Sequence, residues 1–484
     1  MLKPQIVAEL RAIVGTEGVI DKYEQLRTYE SDGLTNLRIV PALVVLPTTT
    51  EQVQAIVRTC HRERIPFVPR GSGTGLSGGA LPTPNSIVIS TTRMKQILHI
   101  DLLNQRVVVQ PGVINLHVTQ HVAPHGYYYA PDPSSQQVCS IGGNVAENSG
   151  GAHCLKYGFT VNHVLGMKLV LSDGELVEIG GPTLDTPGYD LPGIIVGSEG
   201  TLGIATEITL RIVHKAEAVE TALVAFAHTD AAGEAVSHII AAGIVPAAIE
   251  MMDKLAIEAC EATTHAGFPL DAGAILLVEL DGPQAEVSRQ LALVEQLCLK
   301  AGATEYRLAR SNEERANMWK GRKAAFAAMG RISPNYIVQD GVIPRTALPE
   351  VLREIEQLSG RFGLRVANVF HAGDGNLHPL VLYDQRVAGA EHQAEQLAGE
   401  IIKACVAHGG SITGEHGVGM DKRDYMPAMF TEADMATHQL IRCALDPDKL
   451  CNPNKIYPTP RLCGEAPGPY HPHPLETAGI IERF

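Results

Sequence analysis

Arg70-Gly71-Ser72-Gly73-Thr74-Gly75-Leu76-Ser77-Gly78-Gly79 is the stretch whose reading decides the fold. It contains a literal G-x-G-x-x-G from Gly73 to Gly78, the spacing of a dinucleotide-binding turn. That turn works only when a helix starts directly behind it and meets the pyrophosphate with its N-terminus. Here Pro82 and Pro84 follow, and then the β-like run Ser86 to Ser90. No helix starts there, so the Rossmann reading fails. What remains is a glycine loop between strands. Its N–H groups can turn inward because glycine accepts φ > 0, which makes a nest for an anion such as a pyrophosphate. Alone, such a loop is equally a mobile surface connection.

Two further segments keep it company. Pro131-Asp132-Pro133-Ser134-Ser135 leads into Ser140-Ile141-Gly142-Gly143-Asn144-Val145-Ala146-Glu147-Asn148-Ser149-Gly150-Gly151, and Gly197-Ser198-Glu199-Gly200-Thr201-Leu202-Gly203 comes later. Three small-residue segments within about 130 positions imply glycine backbone lying against a long, flat, polyphosphate-bearing ligand. Around them, from about Pro41 to Val213, short strands and helices alternate. Leu43 to Leu46, Pro66 to Pro69, Ile87 to Ile89 and Val107 to Val109 read as strands, and Glu51 to Arg64 as a helix. Val164 to Leu171 and Leu176 to Ile179 flank Ser172-Asp173-Gly174-Glu175, a hairpin signal.

After Val219 the texture changes to strand–helix–strand units. Leu223 to Phe226, Ala247 to Met252, Ala274 to Leu280 and Thr304 to Leu308 are strands; Ala231 to Ala242 and Pro283 to Ala301 are helices. They predict an α/β cap on a smaller sheet. The chain is helical again from about Arg423 to Leu445. From Pro458 it is rich in Pro and His, and its Pro467 to Pro474 stretch reads as an exposed extension with two solvated histidines.

The bulk numbers bound the function. At 484 residues, more than one core is expected. The charge is acidic, 39 basic against 53 acidic side chains, and no Lys/Arg-rich run exists to neutralise nucleic-acid phosphates. An anionic substrate would therefore meet positive charge only locally, from a side chain or a metal. The 9 cysteines contain no C-x-x-C pair, and their odd number rules out a complete disulfide framework, so free thiols of a reducing cytosol are expected. Met1 to Ile20 has helical apolar spacing broken by Lys3, Glu9 and Arg11, unlike a signal peptide. No run of about 18 apolar residues spans a membrane. The expectation is a cytoplasmic chain, with peripheral membrane attachment left open.

A second constellation carries chemistry. Val366 to Leu382 contains His371-Ala372-Gly373-Asp374-Gly375-Asn376-Leu377-His378. Asp374-Gly375 is a favoured two-residue hairpin turn, and counting outward from it sets His371 opposite His378. Opposed residues have Cβ atoms about 4.5–5.5 Å apart, close enough for two imidazoles to share an ion. Gly414-Glu415-His416-Gly417-Val418-Gly419 offers a carboxylate; two histidines and a carboxylate are a recurrent set for zinc or a similar ion. The bland reading of the pair is a hydrogen-bonded or solvated one. Arg315, Lys320, Arg322, Lys323 and Arg331 surround the single Trp319, and Arg322 is the choice for a carboxylate clamp, because guanidinium binds carboxylate bidentately.

Across nearly its whole length the sequence resembles the glycolate oxidase/D-lactate dehydrogenase group of the vanillyl-alcohol oxidase/p-cresol methylhydroxylase (PCMH) flavoproteins. The resemblance implies an α+β chain: a PCMH-type FAD-binding domain over residues 1–216, an α/β ferredoxin-like substrate cap with a metal site over 217–425, and a helical segment over 426–484 that returns to the FAD domain and ends in the tail. It implies that Arg70, Gly71, Ser72, Gly73, Thr74, Gly75, Leu76, Ser77 and Gly78 hold the pyrophosphate. Pro131, Asp132, Pro133, Ser135, Ser140, Ile141, Gly142, Gly143, Asn148, Gly150, Gly151, Gly158, Glu199, Gly200, Gly203 and Ile204 would line the rest of the cofactor. The closing Asn452-Pro453-Asn454-Lys455 is similar to the family's N-P-G-K, with Asn454 where glycine is usual and Asn452 touching flavin. The first loop has no histidine where covalent relatives attach flavin, so the FAD is expected to be noncovalent.

The resemblance also makes His371, His378 and Glu415 the ligands of a divalent ion, zinc or manganese, and His416 the base. The implied reaction is hydride transfer from a 2-hydroxy acid to flavin N5. Asn335 to Gln339 carries no basic residue for a second carboxylate, so glycolate or D-lactate is expected over D-2-hydroxyglutarate, although Arg345 is within sequence reach. Partners would be that acid and an electron acceptor, left open among a quinone, an iron–sulfur subunit, a cytochrome and oxygen; a homodimer also stays open. Competing readings are a metal-dependent hydrolase without flavin, a noncatalytic electron-transfer subunit, and a non-redox alkyl-dihydroxyacetone-phosphate synthase.

Overall fold

Leu43-Val44-Val45 is apolar at every position because both of its faces are covered, as expected of a parallel strand. In the computed structural model, which describes residues 2–183 and 188–458, it is second in a four-stranded sheet. The order is Val19–Ile20, Leu43–Val45, Ile87–Ser90, Phe67–Arg70. Ile87–Ser90 runs parallel to both of its neighbours. The helix Thr50–Arg62, capped by the Thr49 side chain on Gln52 N–H, packs Val53, Ile56 and Val57 onto one face. No helix follows the Gly73–Gly78 loop; the next element is the strand Ile87–Ser90, as its sequence required.

A second, antiparallel sheet has the order Ile97–Asp101, Arg106–Val109, Ile204–Arg211, Val164–Val170, Leu176–Gly180. Its last pair is the expected hairpin, with Val170 opposite Leu176. The second glycine segment, to which the sequence assigned no element, contains the helix Ile141–Glu147. Gly142 within it lies so close to Pro111 that a Cβ would overlap the proline, so close packing rather than turn geometry explains this glycine. Asn148, left-handed at φ 52°, ends the helix.

The chain divides into two units. The first holds both sheets above and comprises the described residues of Met1–Ser149, Phe159–His214 and His416–Phe484; the second comprises Gly150–Gly158 and Lys215–Glu415. In the second unit four antiparallel strands lie in the order Ala303–Leu308, Ala218–Phe226, Ala274–Gly282, Ala248–Asp253. In chain order this is 4-1-3-2, a ferredoxin-like sheet with the helix Lys254–Thr264 where a hairpin would be. Alternate residues of Ala218–Phe226 enter two different cores: Ala222, Val224 and Phe226 one, Leu223 and Ala225 the other. The helices Thr229–Ala241, Gln284–Lys300, Leu348–Phe362 and Ala390–Ala407 cover the first face. Residues of Lys254–Thr264 and Asn312–Lys323 cover the second. Val366–His371 extends the sheet beyond Ala248–Asp253.

The α+β class holds. Cys463 and the Pro/His-rich tail lie outside the described residues, and among those residues no disulfide joins the eight cysteines. Among the described residues no helix is long and apolar enough to cross a membrane.

Candidate active site

In the first unit Arg70 ends a strand and turns its guanidinium back over the glycine loop. It is buried, stands 5.5 Å from the centroid of the Tyr29 ring, and leaves Nη1 without a hydrogen-bond partner. Burial lowers its pKa, and the charge of Asp32 opposes that fall. Gly73, at φ +71°, packs against this guanidinium where any Cβ would overlap it. Gly71 meets Ser140 Oγ in the same way, and Ser140 Oγ is a second buried group without a partner. Each unmet buried polar group costs about 1–3 kcal/mol. Two of them beside bare glycine backbone fit an anion that the chain itself does not supply, and a pyrophosphate has that chemistry.

The other expected cofactor residues are placed as follows. Ser72, Thr74, Gly75 and Leu76 continue the loop half-buried, and Ser77 and Gly78 close it buried. The Pro131 carbonyl accepts from Asn115 Nδ2 at 3.1 Å, and Asp132, Pro133 and Ser135 form the half-buried turn leading to Ser140. Ile141 and Gly143 lie in the first turn of the helix. Gly200 faces Pro69, and Gly203 leads into Ile204, which starts a central strand. Gly150, Gly151 and Gly158 fall in the second unit, unlike the rest of the set. Asn452 Nδ2 donates to the Gly79 carbonyl (2.9 Å) and the Glu199 carbonyl (2.6 Å), fastening the closing segment to two of the three glycine segments. Asn454 has φ 66°, the left-handed geometry that asparagine tolerates in place of glycine.

Sequence reading named Glu199 only as a cofactor-lining residue and did not single out Glu147. Glu199 is buried and Glu147 half-buried, and desolvation raises the pKa of both, Glu199 to about 7 and Glu147 well above the usual range with the Glu199 charge adding. Two like charges in one site oppose each other's ionisation. Against this, the Glu199 carboxylate accepts two backbone N–H groups, which favour its charged form.

In the second unit the hairpin carrying the two histidines differs from its expected register. His371 faces Asn376, and Asn368 faces Pro379, so the turn spans the four residues Ala372 to Gly375 instead of two. Asp374 Oδ1 accepts from Asn376 N–H at 3.1 Å, closing an Asx turn, and Gly375 at φ +80° runs against the Ile343 carbonyl. His371 and His378 are thus diagonal rather than opposed, yet their rings still meet edge to face at 5.2 Å between centroids. Diagonal neighbours remain within reach of long and aromatic side chains.

Glu415 lies between them. Its Oε1 is 3.3 Å from His371 Nε2 and 3.4 Å from His378 Nε2, and one ligand atom of each residue lies within 4.8 Å of the others. The far nitrogen of His371, Nδ1, meets Glu250 Oε1 at 2.7 Å, the carboxylate–histidine pairing that orients metal-bound imidazoles. Burial disfavours a charged His371, but Glu250 and Glu415 outweigh it and raise its pKa well above normal. The same field favours a divalent cation. The residues fit a metal ion. Asp340, fully buried, accepts from Thr413 Oγ1 (2.6 Å) and Gly414 N–H (2.9 Å) and so fixes the backbone of Glu415.

Of the five cations around Trp319 only Arg322 is buried. Its Nη2 pairs with Glu250 Oε2 at 2.6 Å, while its Nε has no hydrogen-bond partner. Arg322 and Trp319 lie one turn apart on the helix Asn312–Lys323, and Trp319 Nε1 donates to Glu279 Oε2 at 2.6 Å. Glu250 and Glu279 were missed in the sequence, although a lone acid inside each of two apolar strands was a signal for both. Arg345 donates to the Gly373 carbonyl at 3.1 Å. His416, half-buried, follows Glu415 directly and opens the last piece of the first unit.

Comparison with known proteins agrees with this anatomy. Residues 41–180 match the FAD binding domain family, and residues 215–456 match the C-terminal domain of FAD linked oxidases. The glycolate oxidase subunit GlcD of Escherichia coli (strain K12) is 50% identical over 97% of this chain and 94% of its own length. The GlcD of Bacillus subtilis (strain 168) is 37% identical over 94% of this chain and 97% of its own length. A crystal structure of p-cresol methylhydroxylase aligns with a TM-score of 0.80 at 17% identity, covering 93% of this chain and 96% of the other, which shows the shared fold. The chain belongs to the FAD-linked oxidases, in the group that contains the glycolate oxidase subunits.

Proposed function

We propose that the chain oxidises a short 2-hydroxy acid, glycolate or D-lactate, to the 2-oxo acid with noncovalent FAD. The observation that carries this reading is the convergence of His371, His378 and Glu415 beside the buried Glu250–Arg322 pair, in a chain whose other unit holds a pyrophosphate-type cradle.

Bound FAD supplies a two-electron acceptor for the hydride that leaves the substrate carbon. A zinc or manganese ion on His371, His378 and Glu415 supplies Lewis acidity toward the substrate hydroxyl. The remaining work belongs to the chain. Arg322, anchored by Glu250, keeps its buried Nε free of protein acceptors and offers it to the substrate carboxylate. His416 takes the hydroxyl proton, a task imidazole suits near neutral pH. Asp340 and the turn at Asp374 keep Glu415 and His378 in place.

A short acid is favoured over D-2-hydroxyglutarate because the strand Asn335–Val338 carries no basic side chain. The word "subunit" in the relatives' names supports assembly with further chains that pass electrons to a quinone, an iron–sulfur centre or a cytochrome. Membership of an FAD-linked oxidase family leaves the flavin-free hydrolase reading without support. The test is anaerobic mixing of the holoenzyme with a panel of 2-hydroxy acids, watched at the flavin absorbance. Glycolate and D-lactate are expected to bleach the flavin. Equal bleaching by D-2-hydroxyglutarate would overturn the size assignment, and none by any acid would make this an electron-transfer subunit.

A further inference from the structure

Glu199 sits in a segment expected to line the flavin, yet its carboxylate is committed to the chain itself. The two oxygens accept the N–H groups of Val418 and Gly419, each at 2.7 Å. Successive amides converging on one carboxylate form a small anion nest. The main chain of Glu199 is engaged as well. Its N–H donates to the Ala146 carbonyl at 2.7 Å, and its carbonyl accepts from Asn452 Nδ2 at 2.6 Å.

The backbone there is left-handed, with φ 53°. A residue other than glycine or asparagine pays about 1–2 kcal/mol for that conformation. Gly197 and Gly200 on either side also have positive φ, 85° and 67°, so a fold that needed only the turn would have placed glycine at 199 too. A buried, ionisable side chain at this strained position is explained by the two amides it holds. Those amides begin two residues after His416. Between them, Gly417 lies against both Glu147 and Glu199, and a Cβ there would overlap the Glu147 carboxyl.

We propose that Glu199 is a positioning residue for the base: through the Val418 and Gly419 amides it fixes the backbone that carries His416, so the third glycine segment sets the aim of the imidazole. This rests on the reading of His416 as the base. Burial raises the pKa of Glu199; the Val418 and Gly419 amides, and after them the buried Lys455 and Lys422 of the same unit, act the other way and favour the ionised form.

The experiment compares holoenzymes carrying E199G, E199Q, H416A and H416A/E199G. Glycine relieves the left-handed strain while removing the carboxylate, and glutamine keeps one acceptor oxygen. Three quantities are read: FAD content, the dissociation constant of oxalate from its perturbation of the flavin spectrum, and the rate of anaerobic flavin reduction by glycolate. FAD content and oxalate affinity are expected to stay within about 2-fold of the parent. Reduction should slow by about 10- to 100-fold in E199G, the scale of an ångström-sized misplacement, and by less in E199Q. The double variant should be no slower than H416A alone, since Glu199 acts only through His416. Parental reduction in E199G beside a slow H416A overturns this inference alone. So does additivity in the double variant, or loss of FAD from both Glu199 variants, which would make the residue a scaffold or a flavin holder. A parental rate in H416A overturns the base reading, and the inference falls with it.

Discussion

At the scale of single residues, the site is a chain of charges: Arg322 on Glu250, Glu250 on His371, His371 on Glu415 and Glu415 on His378. Each link constrains what a substitution does. H378A should lower bound zinc or manganese from about one ion per chain to a small fraction, measured by elemental analysis of the purified protein. R322A should raise KM for glycolate by about 10- to 100-fold, the worth of a charge-assisted hydrogen bond. It also strands Glu250 in the core, so R322K, which keeps a charge for Glu250 without the guanidinium fork, separates substrate binding from stability. If R322K restores both the folding midpoint and KM, the clamp is assigned to the wrong residue. His371, His378 and Glu415 were legible in the sequence because histidines and glycine-flanked acids are conspicuous. Glu250, the link between Arg322 and His371, hid inside an apolar strand, and nothing local to Ala-Ile-Glu-Met-Met names its two partners.

Elements were legible wherever period and punctuation agreed. The hairpin around Gly174, the helix after Thr49 and the absence of a helix behind Gly78 all follow from residues a few positions apart. The histidine hairpin shows the limit. Asp374-Gly375 has the composition of a two-residue turn, but Asp374 closes an Asx turn instead and Gly375 runs close under Ile343, a contact from elsewhere in the chain. The helix Ile141–Glu147 was hidden similarly, since its Gly142 is there for the close approach of Pro111. Two predictions belong at this scale. G71A puts a methyl group into Ser140 Oγ and should yield protein with much less FAD, read from the ratio of flavin to protein absorbance; full occupancy would show that the loop does not form the cradle. The second concerns Asp253, which caps the helix Lys254–Thr264 and also accepts from Asn368; burial pushes its pKa to about 6. This carboxyl therefore binds more proton in the folded chain than in the unfolded one between about pH 4 and 6, and its contribution to stability falls as pH rises through that window. The difference between the denaturant midpoints of the parent and D253N should change across that window in the sense given, and a constant difference would show that Asp253 does not titrate there.

For the whole molecule, the two family matches cover most of the described chain, and acid denaturation should release the yellow cofactor into the supernatant. Colour left in the precipitate would mean a covalent flavin. The first unit is assembled from three separated pieces of sequence, and its first sheet is finished from the far end. Phe67 N–H donates to the Leu450 carbonyl (2.9 Å), Asn452 N–H donates to the Phe67 carbonyl (2.8 Å), and Lys455 Nζ reaches the Leu81 carbonyl (2.8 Å). A chain ending at Lys449 lacks all three bonds and is expected to purify without FAD; flavin bound at parental stoichiometry would show them dispensable.

The order in which a ribosome delivers the chain gives those bonds a further meaning. Translation runs at roughly 5–20 residues per second, so tens of seconds separate the emergence of Phe67 from that of its partners near Cys451. During that interval the nascent protein holds a half-built nucleotide fold with one strand flank still bare, and the inserted unit has time to mature first. If the truncated chain purifies without FAD, as expected, cofactor capture waits until the polypeptide is nearly complete, and prematurely terminated products fail to sequester flavin.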